Sequence, residues 1–174
     1  MVELKVQDFD KNKKFYLNVH DVLSQKFNDE TVPINHVGST AIPNMVGKNI
    51  IDVLVGAKNQ TEFKKLYDII ADLGFFASQN SKNEIYQFFA SKQGETGEGD
   101  VHIHLVIMGT ERYDEFLILR DYLLSHPQEA EAYSNLKKTL IEQGITDRKQ
   151  YRATKSEYVS ALIERAKQNL SKQN

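Results

Sequence analysis

The sequence predicts an α+β (mixed α/β) domain, with a central mixed sheet, flanking helices and a C-terminal part that is helical throughout. Two β-branched apolar runs of strand length, at 50–55 and 100–108, read as central strands covered on both sides. Helical stripes alternate with strands up to residue 110, and beyond Glu111 only helical periodicity remains.

Taken in order, Phe15, Val19, Val22, Leu23 and Phe27 form one stripe of an amphipathic helix between Asp8 and Asn28, with Asp8 and Asp10 as candidate caps. Residues 31–37 alternate apolar and polar before Gly38-Ser39. They read as a strand in which Pro33 belongs near the start or at an edge. A loop through Ile42-Pro43-Asn44 leads to the first central strand, interrupted by one acid, Asp52. Phe63, Leu66, Ile69, Ile70 and Leu73 make a second helical stripe that stops at Gly74. Segments 75–77 and 85–91 are expected to form a hairpin closed by the polar stretch 79–83. Gly94, Gly97 and Gly99 mark a loop before the 100–108 strand. Three further stripes follow: Phe116, Leu119 and Leu123; Tyr133, Leu136 and Leu140; Tyr158, Leu162 and Ala166. His126-Pro127 and the stretch 144–147 separate them, and the polar tail 171–174 is expected to fray.

A chain of 174 residues predicts one domain spanning 1–174, with enough apolar bulk to fold. The formal net charge of -2 and isoelectric point near 6.2 argue against general nucleic-acid binding and leave room for a local basic pocket. With 0 Cys there is no disulfide, thiolate metal site or thiol nucleophile, so any metal must be held by His, Asp, Glu or backbone oxygen. No apolar signal core or membrane span is present, which predicts a cytoplasmic protein without membrane association, as a monomer or small homo-oligomer.

Chemistry concentrates first in His36-Val37-Gly38-Ser39-Thr40, followed by Asp52. A glycine at a strand end lets a phosphate or another backbone approach closely, while Ser39 and Thr40 supply hydroxyl and amide donors. An acid on the adjacent strand is placed to hold the Mg²⁺ that accompanies a nucleotide. The plainer reading is a tight turn capped by its own hydroxyls, with Asp52 accepting hydrogen bonds from it. The second feature is His102 and His104. Alternate strand residues share one face with Cα atoms about 6.6 Å apart, a span that two imidazoles close around one metal. With Asp52 as third ligand, such a set suits Zn²⁺, Fe²⁺ or Mn²⁺ better than Mg²⁺. The plainer reading makes both histidines hydrogen-bonded walls of a polar pocket, or one of them a general base. His36 is a candidate member of the same cluster, or a structural histidine.

Several stretches in succession resemble the motifs of the GrpB family: residues 35–43, 48–55 and 102–106, Arg120-Asp121-Tyr122-Leu123 with His126-Pro127, and Tyr151 with Lys155. The similarity runs from about residue 10 to about residue 166. It implies a nucleotidyltransferase-like fold in which the Gly-Ser turn and the acidic strand form a nucleotide site. Active enzymes of that fold carry two acids two residues apart on one strand and a third on a neighbour. Here Asp52 is followed by Leu54, and His102 and His104 stand where the third acid is expected. Gln87 replaces an arginine usual before the paired aromatics.

The resemblance also places Lys48, Arg120, Tyr151 and Lys155 in motifs. Arg120 wants an anionic partner, either a ligand phosphate or an ion pair tying the C-terminal helices to the sheet, and the ion pair is the simpler reading of Lys155. The candidate site therefore comprises Asp52 and His104 as catalytic residues, Gly38, Ser39, Thr40, Lys48 and Arg120 as ligand-binding residues, and Asp52, His102 and His104 as metal ligands. The expected ligand is a small nucleotide-like or other phosphate-bearing molecule, with a divalent cation (Mg²⁺, Mn²⁺ or Zn²⁺). Two functions compete: metal-assisted nucleotidyl transfer, and a noncatalytic ligand-binding or interaction module with a degenerate site.

Overall fold

A computed structural model describes residues 4–92, 99–145 and 148–172. Five strands form one mixed sheet in the order β2-β4-β7-β6-β5, comprising β2 (Ile34–Val37), β4 (Ile51–Ala57), β5 (Phe76–Asn83), β6 (Tyr86–Ala90) and β7 (Val101–Ile107). β4 and β7 are parallel and the other neighbours antiparallel. The parallel pair occupies the middle, where strands apolar on both faces belong. Helices α1 (Phe9–Phe27) and α2 (Gln60–Asp72) connect the strands, and α3 (Glu111–Ser125), α4 (Pro127–Glu142) and α5 (Arg148–Ser171) follow the sheet.

Strand alternation decides what lies on each face. Ile51, Val53, Val55, Ile103 and Leu105 pack with Leu23 and Phe27 of α1 and Phe63, Leu66 and Ile70 of α2 in the main core. Val53, Val55, Ile103 and Leu105 are completely shielded, and each such side chain contributes roughly 1.5–3 kcal/mol. The opposite face carries Leu54 and Val106, which pack with Val37 and Tyr113 of α3. Asp52 pairs across the ladder with His102 and Leu54 with His104. All four side chains of that block therefore share the face turned to the C-terminal helices. A further cluster of Ile42, Met45, Leu123, Ala130, Tyr133 and Leu162 ties the loop after β2 to those helices.

Local chemistry sets the ends. Asp8 caps α1 by accepting from Lys11 N, and Asn28 closes the helix at φ 48°. Gly74, at φ +88°, follows α2 where a left-handed residue is needed.

Several expectations are corrected. The 31–37 strand begins only at Ile34, because Pro33 cannot donate to a ladder. The polar stretch 79–83 lies within β5, and the chain turns at Glu84-Ile85 instead. β5 is an edge strand, largely exposed, with a register shift between Ala77 and Lys82. Such a strand has no need of apolar alternation. Two two-residue strands, β1 (Lys5–Val6) and β3 (Val46–Gly47), pair with each other and carried no sequence signal. Gly94, Gly97 and the ends of the 144–147 and 171–174 stretches lie outside the described residues. No helix among the described residues is long and apolar enough to cross a membrane.

Candidate functional site

Immediately after β2, Gly38 takes φ 74° and ψ -171°, a region open essentially to glycine alone, and Ser39–Ala41 follow as one 3-10 turn. A Cβ at Gly38 would sit 2.3 Å from Asp52 Oδ2, so the missing side chain is what lets the turn close over the acid.

Asp52 is held between the paired histidines. Its Oδ1 lies 3.3 Å from His102 Nδ1 and 3.4 Å from His104 Nε2, and the three side chains are 25%, 18% and 13% exposed. Burial alone would raise the Asp52 carboxyl, but hydrogen bonds from His102 and His104 outweigh it and hold the group well below the usual carboxylate range. His104 is fixed from behind, with Nδ1 3.0 Å from the Tyr86 hydroxyl and its ring 4.7 Å from that of Phe116. His102 meets Phe88 edge-on at 4.8 Å.

Among the described residues no group of three or more His, Asp or Glu side chains is placed to hold a metal ion. Asp52, His102 and His104 come together as a hydrogen-bonded triad in which both imidazoles address the same oxygen. Mg²⁺ does not fit this donor set, since it needs several oxygens and the strand offers one carboxylate with Leu54 two residues on.

These groups open into a cavity of about 610 Å³ between the sheet and the C-terminal helices. Gly38, Ser39, Lys48, Asp52, His102, His104 and Arg120 all line it, joined by Arg112, Lys137, Tyr151 and Lys155. The helices bring four cations, and the loop before β4 brings Lys48, to a cavity in which Asp52, Glu115 and Glu164 are the acids. Arg112 lies over the Tyr86 and Phe116 rings at 4.9 and 5.1 Å, which links α3 to the wall behind His104.

Two expected binders are placed differently. Thr40 is fully buried, its hydroxyl 3.3 Å from the Ile50 carbonyl and 3.0 Å from His36 Nε2, so it braces the turn and does not face the cavity. Adjacent helix positions project about 100° apart, yet Arg120 Nε donates to Asp121 Oδ1 at 2.7 Å while Nη1 reaches the His36 carbonyl at 3.3 Å. A flexible side chain overrides the 100° helical offset, and Arg120 ties α3 to β2 at the cavity rim. No ion pair of Lys155 is formed among the described residues, contrary to the simpler expectation for it. Lys137 and Arg112 were missed. Lys137 stands four residues after Tyr133 and three before Leu140, on the apolar stripe of α4, and that position is the signal that separates it from its solvent-facing neighbour Lys138.

His36 stacks on Tyr16 at 4.5 Å, and burial, opposed by Asp52 and reinforced by Arg120, lowers its imidazole to about 4. The folded pKa is below the unfolded value, so the unfolded chain takes up the proton first and stability is complete only above about 6.5. Urea unfolding is expected to show a loss of about 2 kcal/mol from this group between pH 7 and 4.5, after allowance for its partial exposure. A His36→Gln variant with an equally steep loss would contradict this.

The chain matches the family described as GrpB protein over residues 4–165. It is 33% identical to a UPF0157 protein of Pseudomonas aeruginosa over 133 residues, covering 76% of this chain and 54% of that one. It therefore spans about half of that relative's length. The crystal structure of GrpB from Enterococcus faecalis superposes with a TM-score of 0.75 at 20% identity, covering 94% of this chain and 98% of that chain. A cytoplasmic RNA terminal U-transferase aligns with a TM-score of 0.54 at 11% identity, over 83% of this chain and 45% of its own. At such identities the likeness is one of fold, and that fold is nucleotidyltransferase-like.

Proposed function

The chain belongs to the GrpB family, and we propose that it binds a phosphate-bearing, nucleotide-like ligand in the cavity between the sheet and the C-terminal helices, without two-metal nucleotidyl transfer. The observation that carries this reading is convergence. One cavity of about 610 Å³ gathers the Gly38-Ser39 turn, the Asp52–His102–His104 triad and the cations Lys48, Arg112, Arg120, Lys137 and Lys155. The volume suits a small organic ligand, and turn donors with lysine and arginine cations suit phosphate oxygens.

Transfer by the two-metal route needs carboxylates that bridge two cations and align the attacking and leaving oxygens. Asp52 is the one carboxylate on its strand, and its Oδ1 is already engaged by two imidazoles. In this reading Asp52 holds the histidines in place, and the ligand's negative charge is met by side-chain cations.

Calorimetric titration of ATP, UTP, CTP and coenzyme A in EDTA, repeated with Mg²⁺, Mn²⁺ or Zn²⁺ and followed by a pyrophosphate-release assay, tests the proposal. Micromolar binding of at least one ligand in EDTA, with no pyrophosphate released on adding metal, is expected. Metal-dependent release of pyrophosphate would establish nucleotidyl transfer in its place, with Asp52, His102 and His104 as the metal set. Failure of every ligand to bind would leave the interaction-module reading.

A further inference from the structure

Two lysines, Lys137 and Lys155, stand on the helical wall of the cavity. Lys137 is 3% exposed; its Nζ donates to the Val46 carbonyl and lies 4.5 Å from the Tyr133 ring centroid. Lys155 on α5 lies close enough to add to the charge felt by Lys137, and itself feels Lys48 and Arg152 as like charges and Asp52 as the opposing one. Neither forms an ion pair with a carboxylate of the described residues. Four other charged side chains of the cavity are engaged elsewhere. Asp52 receives two imidazoles, Arg120 holds Asp121 and β2, and Glu115 and Glu164 lie 3.4 and 3.6 Å from Lys167. Neighbouring ammonium groups without an ion-pair partner oppose folding, the more so at buried Lys137.

We propose that Lys137 and Lys155 form an anion subsite on the helical wall that takes the terminal phosphate of a polyphosphate-bearing ligand, whose remainder lies toward Gly38 and Asp52. This deepens the proposed function and rests on it. A terminal phosphate carries the charge and the three acceptor oxygens that two ammonium groups satisfy together, whereas a single bridging phosphate does not need both. Burial lowers Lys137 to about 7, with Lys155 adding to the effect, and lowers Lys155 as well. A phosphate arriving between them draws a proton onto the pair, so binding is coupled to proton uptake and weakens as pH rises.

The test is calorimetric titration in EDTA of AMP, ADP and inorganic pyrophosphate into the wild type, Lys137→Met, Lys155→Met and Lys155→Arg, with thermal melts of each ligand-free protein. Wild type is expected to bind ADP and pyrophosphate at least about tenfold tighter than AMP. Lys155→Met should erase that preference while keeping AMP affinity, and Lys155→Arg should restore most of it. ADP affinity should fall between pH 6 and 8.5 in the wild type and much less in Lys137→Met. Lys137→Met should melt higher than the wild type, because it removes a buried charge that has no ion-pair partner, and Lys155→Met should melt no lower. If AMP and ADP bind but the ADP preference survives in both methionine variants, the subsite is wrong and the proposed function stands. If the methionine variants melt lower with unchanged nucleotide affinity, the lysines are structural and the subsite is again overturned. If the wild type binds none of the three, the subsite falls, and the proposed function falls with it once the nucleotides and coenzyme A above also fail.

Discussion

Gly38→Ala is expected to destabilise the protein by about 2.5–6 kcal/mol, a large fraction of the stability of a domain of this size. Two separate effects add. At φ 74° and ψ -171° any side chain is strained by about 1–3 kcal/mol. The new methyl would also stand 2.3 Å from Asp52 Oδ2 and 3.0 Å from Asp52 Cβ, so the carboxylate must leave its place between His102 and His104. That displacement forfeits two charge-assisted hydrogen bonds, roughly 1.5–3 kcal/mol. A double-mutant cycle with Asp52→Ala separates the effects, since removing the carboxylate relieves the collision and leaves the backbone strain. We expect a coupling of about 1–2 kcal/mol from chemical denaturation. Strict additivity would mean that Gly38 matters for its dihedral alone and that the close approach to Asp52 is incidental.

The same contact shows why part of the site is legible in the sequence. Ile51, Val53 and Val55 must face α1 and α2, so alternation forces Asp52 to the other face, and in β7 it forces His102 and His104 there together. A glycine before a serine at a strand end marks a close approach, and Gly38 makes one. Legibility ends where position depends on tertiary packing. Arg120 offered two partners from its helix alone, and it took Asp121 and the β2 backbone. Lys137 shares the stripe of Tyr133 and Leu140, but that stripe alone does not say that α4 packs on β3 and turns the Lys137 ammonium to the Val46 carbonyl. β5 escapes for the opposite reason. As an edge strand it buries little, so its sequence 79–83 keeps the polarity of a turn.

Asp52→Asn is expected to separate charge from shape at the centre of the site. The amide keeps the volume beneath Gly38 and one acceptor oxygen, so the fold should survive, with a loss of about 1–3 kcal/mol as two charge-assisted hydrogen bonds weaken. The pH dependence fixes the sign. The folded carboxyl is held below its ordinary value of 3.8, so its contribution is complete above that value and is lost as pH falls through the lower folded one. The asparagine variant should lack that acid limb while retaining the higher one due to His36. On ligand binding the two readings part widely. If cations alone meet the phosphates, removing the Asp52 charge from beneath them strengthens nucleotide binding in EDTA severalfold, because one repulsion disappears. If a metal bridges Asp52 to the phosphates, loss of the anionic ligand weakens metal-dependent binding by two orders of magnitude or more. We expect the first result, read by titrating ADP into both proteins in EDTA and in Mn²⁺. A hundredfold loss confined to the Mn²⁺ arm would move Asp52 from the scaffold of the cavity to its chemistry.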